Sequence, residues 1–259
     1  MEFRPCIDIH NGKVKQIVGG SLRDEGNQAE ENFVSCQDAS FFAEFYQKSG
    51  LKGGHIILLN GQDSEYYEAT RQQAFMALKT YPQGLQVGGG ITPDNGAEYL
   101  EAGASHVIVT SYVFQNGRIH YDKLRKMTEA VGKEHLVLDV SCKKTERGYF
   151  VVTDRWQKLT EEKVEEGLLN RLADYCDEFL IHAVDVEGKS QGIERELASM
   201  LGQWGRKPMT YAGGVHSYED LRQLRELGRD QLNVTIGSAL DLFGGTLEWD
   251  KVLKLCSSW

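Results

Sequence analysis

The sequence predicts an α/β fold of the (β/α)8 TIM barrel type, built from two similar half-barrels. The chain has 259 residues, and a barrel of this type typically needs about 250. Short apolar runs alternate with longer amphipathic stretches, which is typical of parallel strands joined by helices. Several motifs also recur after about half of the chain, as expected of a duplicated half. An open, doubly wound sheet is the competing arrangement, and the regular units favour closure.

Eight units of one strand and one helix are predicted from this alternation. The strands are Phe3–Asp8, His55–Asn60, Leu85–Val87, His106–Thr110, Leu136–Val140, Phe179–Ala183, Met209–Ala212 and Asn233–Ile236. The helices that follow them are Ala39–Lys48, Glu65–Thr80, Asn95–Ala102, Tyr121–Val131, Glu161–Tyr175, Glu194–Gln203, Tyr218–Leu227 and Glu248–Leu255. No low-complexity linker interrupts the chain, so residues 1–259 are predicted to form a single domain.

The bulk composition is that of a globular protein that does not bind nucleic acid. Hydrophobic residues make up 41% and charged residues 26% of the chain, an ordinary balance for a globular domain. The formal net charge of −9 argues against a nucleic-acid surface, because such a surface needs clustered basic residues. Anionic ligands are not excluded, since backbone N–H groups and helix N-termini bind phosphate whatever the overall charge.

The cysteines and the apolar runs predict a cytoplasmic protein. No apolar run approaches the ~18 residues that a membrane span needs. Met1–Pro5 leads directly into the first predicted strand, with no apolar signal region. The cysteines are scattered and lack CxxC spacing, as expected of reduced thiols. They are Cys6, Cys36, Cys142, Cys176 and Cys256.

Three pairs of motifs are separated by about half of the chain. In an eight-stranded barrel, elements four strands apart face each other across the axis. We therefore expect the members of each pair to be opposed at the carboxyl ends of the strands, where barrels of this type carry their active sites. The pairs are Gly89-Gly90-Ile91 with Gly213-Gly214-Val215, Thr110-Ser111 with Gly237-Ser238, and Asp8 with Asp139.

The glycine-rich strand ends predict two phosphate-binding sites. Glycine has no Cβ, so its backbone amide can approach a phosphate oxygen closely. Ser238–Asp241 is also predicted to begin a short helix, whose N-terminus would favour an anion. The alternative is that the glycines only permit tight turns, but two opposed copies favour a ligand with a phosphate at each end. The candidate binding residues are Gly89, Gly90, Thr110, Ser111, Gly213, Gly214, Gly237 and Ser238.

Asp8 and Asp139 are the candidate catalytic residues. Each follows apolar residues at a predicted strand end, where burial can move the pKa of a carboxyl group toward neutrality. Two carboxyl groups on opposite sides of a substrate can divide the work, one removing a proton and the other supplying one. A structural aspartate that caps a turn is the alternative for either residue alone, and the opposed pair favours catalysis.

Weaker candidates lie on two loops. Trp156 and Arg155 follow the fifth predicted strand, where the indole could stack on a planar heterocycle; packing under the loop is the alternative. Asp185 and Glu187 follow the sixth predicted strand. They are candidates for a further acid or for a loop contact, and an exposed turn is the alternative.

No cofactor and no metal site is predicted. The histidines lack metal-ligand spacing and are not grouped with cysteines, so His55 and His182 are interpreted as barrel or strand-end residues. The sequence contains no dinucleotide-binding, P-loop or serine-nucleophile motif.

Taken together and in order, the motifs resemble those of the phosphoribosylformimino-5-aminoimidazole carboxamide ribotide isomerases of histidine biosynthesis. The resemblance extends over nearly the whole chain, and the order of the motifs makes it far more specific than any one of them. Residues 107–114, 153–158 and 179–188 are most similar to the divergent branch of fungal and plant members. The matching motifs are Arg4–Ile9, Gly12–Val14, Gln86–Ile91, Leu138–Val140, Ala212–Val215 and Ile236–Leu240.

The resemblance implies a cofactor-independent aldose–ketose isomerase, an intramolecular oxidoreductase that converts the aminoaldose ProFAR into the aminoketose PRFAR by an Amadori rearrangement. By similarity, Asp8 is the general base that removes a proton from C2′ of the sugar. Asp139 is by similarity the general acid that assists ring opening. Trp156 matches a loop tryptophan that covers the aminoimidazole carboxamide, and the glycines and hydroxyls given above match the family's two phosphate sites.

Some positions depart from the family pattern. The strand end Leu58–Gly61 stands where many members carry an aspartate pair, and Thr92 stands where many have arginine. The strand end His182–Asp185 lacks the threonine that many members have, and Glu187 replaces an aspartate before Gly188. These departures leave open the role of this loop and the contacts of the second phosphate, and they do not involve the two candidate catalytic aspartates.

Three other functions stay open. The sister barrel, which makes imidazole glycerol phosphate with ammonia from a glutaminase partner, shares the opening that Cys6 and Asp8 reproduce; the strand ends Thr110–Tyr112 and Gly237–Leu240 are more similar to the isomerase. The others are a dual-specificity isomerase that also accepts phosphoribosylanthranilate, and a non-catalytic phospho-ligand receptor.

The expected partner is a small bis-phosphorylated substrate. We expect a monomer without a nucleic-acid, membrane or obligate protein partner.

Overall fold

The structure of the protein is a computed structural model that describes residues 1–18, 20–23, 25–189 and 191–257. In chain order the strands are β1 (Cys6–His10), β2 (Lys13–Ile17), β3 (Glu31–Val34), β4 (Gly54–Leu58), β5 (Leu85–Gly88), β6 (Val107–Val109), β7 (Phe114–Gln115), β8 (Arg118–Ile119), β9 (Leu136–Asp139), β10 (Cys142–Thr145), β11 (Gly148–Thr153), β12 (Lys158–Lys163), β13 (Glu178–His182), β14 (Met209–Ala212) and β15 (Leu232–Thr235).

The α-helices alternate with these strands. They are α1 (Ala39–Lys48), α2 (Tyr67–Thr80), α3 (Gly96–Glu101), α4 (Tyr121–Val131), α5 (Glu166–Leu172), α6 (Arg195–Trp204), α7 (Tyr218–Leu227) and α8 (Trp249–Ser257). Short 3-10 helices lie at Glu25–Asn27, Lys133–His135 and Asp241–Phe243. In the described part of the chain, no helix combines the length and the apolar character that crossing a membrane requires.

Each predicted strand and helix has a counterpart in the structure. The strands correspond to β1, β4, β5, β6, β9, β13, β14 and β15, and the helices to α1 through α8. The parallel strands are detected because both of their faces are covered, which makes them continuously apolar; every residue of β14 is buried, for example. The helices are detected by their single buried face and their caps. In α7, the hydroxyl of Ser217 accepts from the N–H of Asp220, and the Asp220 carboxylate accepts from the N–H of Ser217.

Eight strands form a continuous parallel series within a ten-stranded sheet. The order is β15-β14-β13-β9-β6-β5-β4-β1-β2-β3, and each neighbouring pair from β15 to β1 is parallel. The residues before β1 also pair with β15: Arg4 N donates to Val234 O at 2.8 Å, and Val234 N donates to Glu2 O at 2.9 Å. The protein therefore has an α/β fold with a curled, mostly parallel sheet, consistent with a TIM-type barrel.

Antiparallel strands follow β1 and β9, and the sequence analysis did not predict them. β1 continues into a hairpin with β2, in which Asp8 is opposite Lys15. β10, β11 and β12 form a three-stranded sheet between β9 and α5. β2, β10 and β12 contain several Lys or Glu residues, as in Lys158–Lys163, so a search for apolar runs does not find them. β11 is apolar and largely buried, but an alternation of one strand with one helix leaves no place for it.

These strands correct two predicted boundaries. The predicted strand Phe3–Asp8 is wrong at both ends, because pairing with β2 prolongs β1 to His10 and makes Asp8 its central residue. The predicted helix Glu161–Tyr175 is wrong in its first part, because β12 pairs there with β11 and α5 begins only at Glu166.

The short helix predicted to begin at Ser238 is also wrong. Gly237–Leu240 form a turn in which Leu240 N donates to Gly237 O at 3.0 Å. The 3-10 helix begins only at Asp241 and has three residues. The turn geometry after β15 therefore places no helix N-terminus at Ser238.

A buried ion pair connects several strands at their amino ends. Arg4 pairs with Glu178 of β13, and their side chains are only 9% and 10% exposed. Glu178 also accepts a hydrogen bond from Gln86 of β5 at 3.0 Å, and Arg4 donates to Thr210 of β14 at 3.3 Å. A buried charge is tolerated only with its partners, so this cluster couples the strands at the end opposite to the predicted site.

Glu178→Ala is expected to lower the free energy of unfolding by about 3–5 kcal/mol, because the Arg4 guanidinium would stay buried without its counter-charge. Chemical denaturation followed by circular dichroism measures this. The control is Glu2→Ala, which removes an exposed partner of Arg4 at 3.5 Å and should cost less than about 1 kcal/mol. Equal losses in the two variants would contradict the importance of the buried pair.

Candidate active site

A cavity at the carboxyl ends of β5, β6 and β9 contains many of the predicted site residues. Its wall includes these strand ends, the loop between β11 and β12, and His182 at the end of β13. The loop therefore lies next to the strand ends, where it can cover a ligand. The predicted residues in this first cavity are Gly89, Gly90, Thr110, Ser111, Asp139, Arg155 and Trp156.

A second cavity lies at the carboxyl ends of β14 and β15. Glu187 and Gly188, from the loop after β13, also line it. The predicted phosphate-binding residues are thus divided between two cavities, one at β5 and β6 and one at β14 and β15, in the way the internal repeat predicts. The predicted residues in the second cavity are Gly213, Gly214, Gly237 and Ser238.

The two glycine pairs have nearly the same backbone conformation. The φ angle is 106° at Gly89 and 69° at Gly90, and it is 116° at Gly213 and 78° at Gly214. A Cβ on Gly89 would lie 2.2 Å from the carbonyl oxygen of the last residue of β4, and a Cβ on Gly213 would lie 2.8 Å from that of the first residue after β13. Glycine is therefore required at both positions, and it leaves the backbone uncovered toward the cavities.

Asp139 is half-buried at the end of β9 and lines the first cavity. Its Oδ1 accepts hydrogen bonds from the backbone N–H of Ser141, at 2.7 Å, and from the Ser141 hydroxyl. The same hydroxyl lies 3.0 Å from Nδ1 of His182. The orientation of the Asp139 carboxyl group is therefore set by two residues that the sequence analysis did not select.

Asp8 is half-buried in β1 and is not among the residues that line either cavity. Burial raises the pKa of Asp8 to about 7. Burial, and secondly the charge of Asp8, raise the pKa of Glu187 to about 8. Glu187 Oε2 is buried, has no hydrogen-bond partner among the residues that the structure describes, and lies 3.2 Å from where a Cβ on Gly213 would be. Two carboxyl groups therefore share a desolvated space beside the second cavity.

The two candidate catalytic aspartates have different surroundings. Asp139 faces the first cavity, whereas Asp8 interacts with the carboxyl group that lines the second. Their strands, β1 and β9, are four positions apart in the parallel series. The predicted opposition of the two carboxyl groups across a substrate stays a prediction.

Trp156 is half-buried on the loop between β11 and β12, and its ring lies 5.1 Å from the ring of His182. Asp154, Arg155 and Trp156 all have left-handed φ angles, of 51°, 55° and 67°, which is uncommon for residues other than glycine. The N–H of Asp154 donates to Ser111 Oγ at 2.9 Å, and Lys143 Nζ donates to the carbonyl oxygen of Trp156 at 3.2 Å. These contacts hold the indole at the cavity in a conformation that the loop would rarely adopt alone.

Asp185 is a predicted binding residue that lines neither cavity. Its carboxylate accepts a hydrogen bond from the N–H of Lys144 at 2.6 Å, and its carbonyl oxygen accepts one from Lys189 Nζ at 2.7 Å. These contacts favour the loop-contact alternative, in which Asp185 holds the loop after β13 against β10. Glu187 is the acid that this loop brings to a cavity. The sequence signal for Glu187 was its position before Gly188.

Two histidines from strands that are not neighbours in the sheet, His55 of β4 and His182 of β13, lie close together. The His182 ring is 5.6 Å from that of His55. Burial lowers the pKa of both rings, that of His55 to about 3, so both are neutral at pH 7. Because His182 also lines the first cavity, it is a functional candidate, although no motif or spacing marks it in the sequence.

A group that could hold a metal ion lies away from both cavities. Among the described residues, ligand atoms of His106, Asp177 and Glu178 are close enough for this. They lie at the amino ends of β6 and β13, and Glu178 is already paired with Arg4. The cavities themselves present backbone amides, hydroxyls and carboxyl groups, which suit phosphate binding and proton transfer.

Gly89→Ala is expected to lower the free energy of unfolding by about 2–4 kcal/mol, through left-handed strain and the clash of its Cβ with a backbone oxygen. The matched control is Gly50→Ala, which has a φ of 71° but no atom within 4 Å of the added Cβ and should cost only the strain of about 1–2 kcal/mol. Equilibrium denaturation of both variants measures the difference. Identical losses would contradict the assigned close approach at Gly89.

Comparison with known proteins supports one family. The histidine biosynthesis protein family matches residues 2–247. A relative from Medicago truncatula, named as a chloroplastic 1-(5-phosphoribosyl)-5-((5-phosphoribosylamino)methylideneamino)imidazole-4-carboxamide isomerase, is 49% identical over 257 residues, which cover 98% of this chain and 81% of the relative.

Fungal relatives have the same isomerase name. The protein from Neurospora crassa is 42% identical over 260 residues, covering 99% of this chain and 97% of the relative. The protein from Saccharomyces cerevisiae is 41% identical over 253 residues, covering 95% and 94%. The resemblance to fungal and plant members is thereby confirmed, and the chain belongs to the histidine biosynthesis protein family.

Proposed function

We propose that this chain is the isomerase of histidine biosynthesis that converts ProFAR into PRFAR by an Amadori rearrangement. The observation that carries the proposal is the pair of glycine-lined cavities with matching backbone conformation, each next to a carboxyl group. A substrate with a phosphate at each end would place one phosphate at Gly89-Gly90 and the other at Gly213-Gly214. The isomerase names of the plant and fungal relatives support the same substrate.

The scaffold that we propose for this reaction is one closed (β/α)8 domain over residues 1–259, made of two similar halves. Closure is supported by the parallel bridge between Phe3 and Val234, which joins the two ends of the parallel series. The duplication is supported by the near-identical φ angles of the two glycine pairs. Closure would face the carboxyl ends of β1 and β9 toward each other, as the assigned acid–base pair requires.

The acid–base chemistry is assigned to Asp8, Asp139 and Glu187. With a pKa of about 7, Asp8 is partly ionised at neutral pH and suited to remove the C2′ proton as general base. Asp139, on the first cavity, is assigned the proton donation that assists ring opening. Glu187, with a pKa of about 8, is protonated at neutral pH and supplies a second acid near Asp8. Trp156 and Arg155 are assigned to the heterocycle.

The other candidate functions have less support. The plant and fungal relatives described above are named as isomerases, and none of those names refers to the synthase that uses ammonia. A receptor without catalysis would not need Asp8 and Glu187 in a space where the ionised form of each is disfavoured.

We retain the monomeric state, the lack of an obligate protein partner and a cytoplasmic location as proposals. The five unpaired cysteines support the last of these.

Asp8→Asn and Asp139→Asn are each expected to lower kcat on ProFAR at least ~100-fold, because a positioned acid or base contributes about this much. Steady-state kinetics and equilibrium binding of PRFAR measure turnover and affinity separately, and circular dichroism checks the fold. The control is Asp122→Asn, which changes an exposed acid in the first turn of α4 and should retain most of the activity. Near-normal rates in both catalytic variants would contradict the mechanism.

The pH dependence of kcat/KM is expected to be bell-shaped. Asp8 must be ionised to act as base, so the rate should rise with pH up to its pKa of about 7; Glu187 must keep its proton to act as acid, so the rate should fall above its pKa of about 8. Initial rates at closely spaced pH values, from below the pKa of Asp8 to above that of Glu187, measure this profile. Glu187→Gln should remove the alkaline limb, and an unchanged limb in that variant would exclude Glu187 as the acid.

A further inference from the structure

A hydrogen-bonded chain links Asp139 to His182 through the fully buried side chain of Ser141. The Ser141 hydroxyl donates to Asp139 Oδ1, accepts from the backbone N–H of His182 at 3.0 Å, and lies 3.0 Å from His182 Nδ1. The backbone N–H of Ser141 donates to the same Asp139 oxygen at 2.7 Å. These hydrogen bonds therefore connect the carboxyl ends of β9 and β13.

The proton of the Ser141 hydroxyl determines the tautomer of His182. A hydroxyl group has one proton and two acceptor positions. Because the proton is directed to Asp139, both contacts from His182 must be donated to the Ser141 oxygen, and Nδ1 must carry a hydrogen. Burial lowers the pKa of His182, so the ring is neutral and Nε2 is an acceptor.

His182 is held on a second side by Trp156. The two ring centroids are 5.1 Å apart, and both side chains line the first cavity. A ring bonded at Nδ1 and packed against an indole cannot turn without losing both contacts. The orientation of the Asp139 carboxyl group is thus coupled to the wall of the cavity through Ser141.

We propose that Ser141 and His182 are positioning residues that hold the Asp139 carboxyl group toward the first cavity. The inference rests on the proposed function, in which Asp139 supplies a proton to the bound sugar. The two residues act through Asp139 and do not contact the reacting atoms. Without the Ser141 hydroxyl, of the two described hydrogen bonds to Asp139 Oδ1 the one from the backbone N–H of residue 141 remains, so the carboxyl group is held less firmly and a smaller fraction of bound substrate meets it in a productive geometry.

Ser141→Ala is expected to lower kcat for ProFAR about 10- to 100-fold, because a misplaced acid meets the bound sugar less often in a productive geometry, while KM changes less than about 3-fold. The control is Ser105→Ala, which removes a hydroxyl bonded to Leu85 O at 3.1 Å, outside both cavities, and should retain the wild-type kcat. In an Asp139→Asn background, Ser141→Ala should have less than about a 2-fold further effect, because Ser141 acts only through the carboxyl group of Asp139. Equal losses in both backgrounds would overturn the proposal.

Two variants of His182 test its hydrogen bond to Ser141 without changing Ser141. The side-chain amide of His182→Asn can donate from near the Nδ1 position and should retain kcat within about 5-fold of the wild type, whereas His182→Leu cannot donate and should lose about 10- to 100-fold. Equal activities of the two variants would overturn the proposal. The two His182 variants also test the positioning role if Ser141→Ala does not fold.

The tautomer of His182 can be observed without any activity measurement. Nitrogen-15 NMR of the wild-type protein, with His182→Asn used to assign the signal, should show a hydrogen on Nδ1. A hydrogen on Nε2 would overturn the proposal. A wild-type enzyme without ProFAR turnover would contradict the proposed function, whereas an active wild type whose Ser141 and His182 variants keep full kcat would contradict only the positioning role.

Discussion

The parallel hydrogen bonding of the eight inner strands is the constraint on which the rest of the site depends. Because neighbours from β1 to β15 run in the same direction, their carboxyl ends meet on one side of the sheet. Residues that are far apart in the sequence are thereby brought into two cavities. The register places Asp8 beside Ile57, one residue before the end of β4, and it places Asp139, the last residue of β9, beside Leu180 in the middle of β13.

Carboxyl groups on this side of the sheet differ in their hydrogen bonds, and this difference gives them different chemistry. Asp139 is held by the hydroxyl and the N–H of Ser141. Asp8 and Glu187 are instead disfavoured as anions by burial, and the charge of Asp8 acts further on Glu187. Burial thus raises the proton affinities of Asp8 and Glu187, whereas hydrogen bonds fix the orientation of the Asp139 carboxyl group.

The inserted strands β10–β12 complete the first cavity and give it an unusual backbone. Three successive residues with left-handed φ angles carry Trp156 to the cavity, and Ser111 and Lys143 hold this segment by hydrogen bonds. Conformations of this kind cost energy and persist where surrounding contacts maintain them. The loop thus depends on the sheet for its shape, while the first cavity depends on the loop for part of its wall.

The sequence by itself determined the alternation of eight strands and helices, the two glycine pairs and the pair of aspartates, because apolar periodicity and glycine turns are local properties of a chain. It did not reveal β2, β3 or β10–β12, since β2, β10 and β12 are rich in Lys or Glu and the apolar β11 falls outside the alternation of one strand with one helix. These segments are strands because they pair with neighbours. Only the tertiary structure decided that β1 extends past Asp8, that Ser141 and His182 adjoin the site, and that Glu187 and not Asp185 lines a cavity. Burial and hydrogen bonding between distant strands exist only after the sheet has formed, so no local pattern records them.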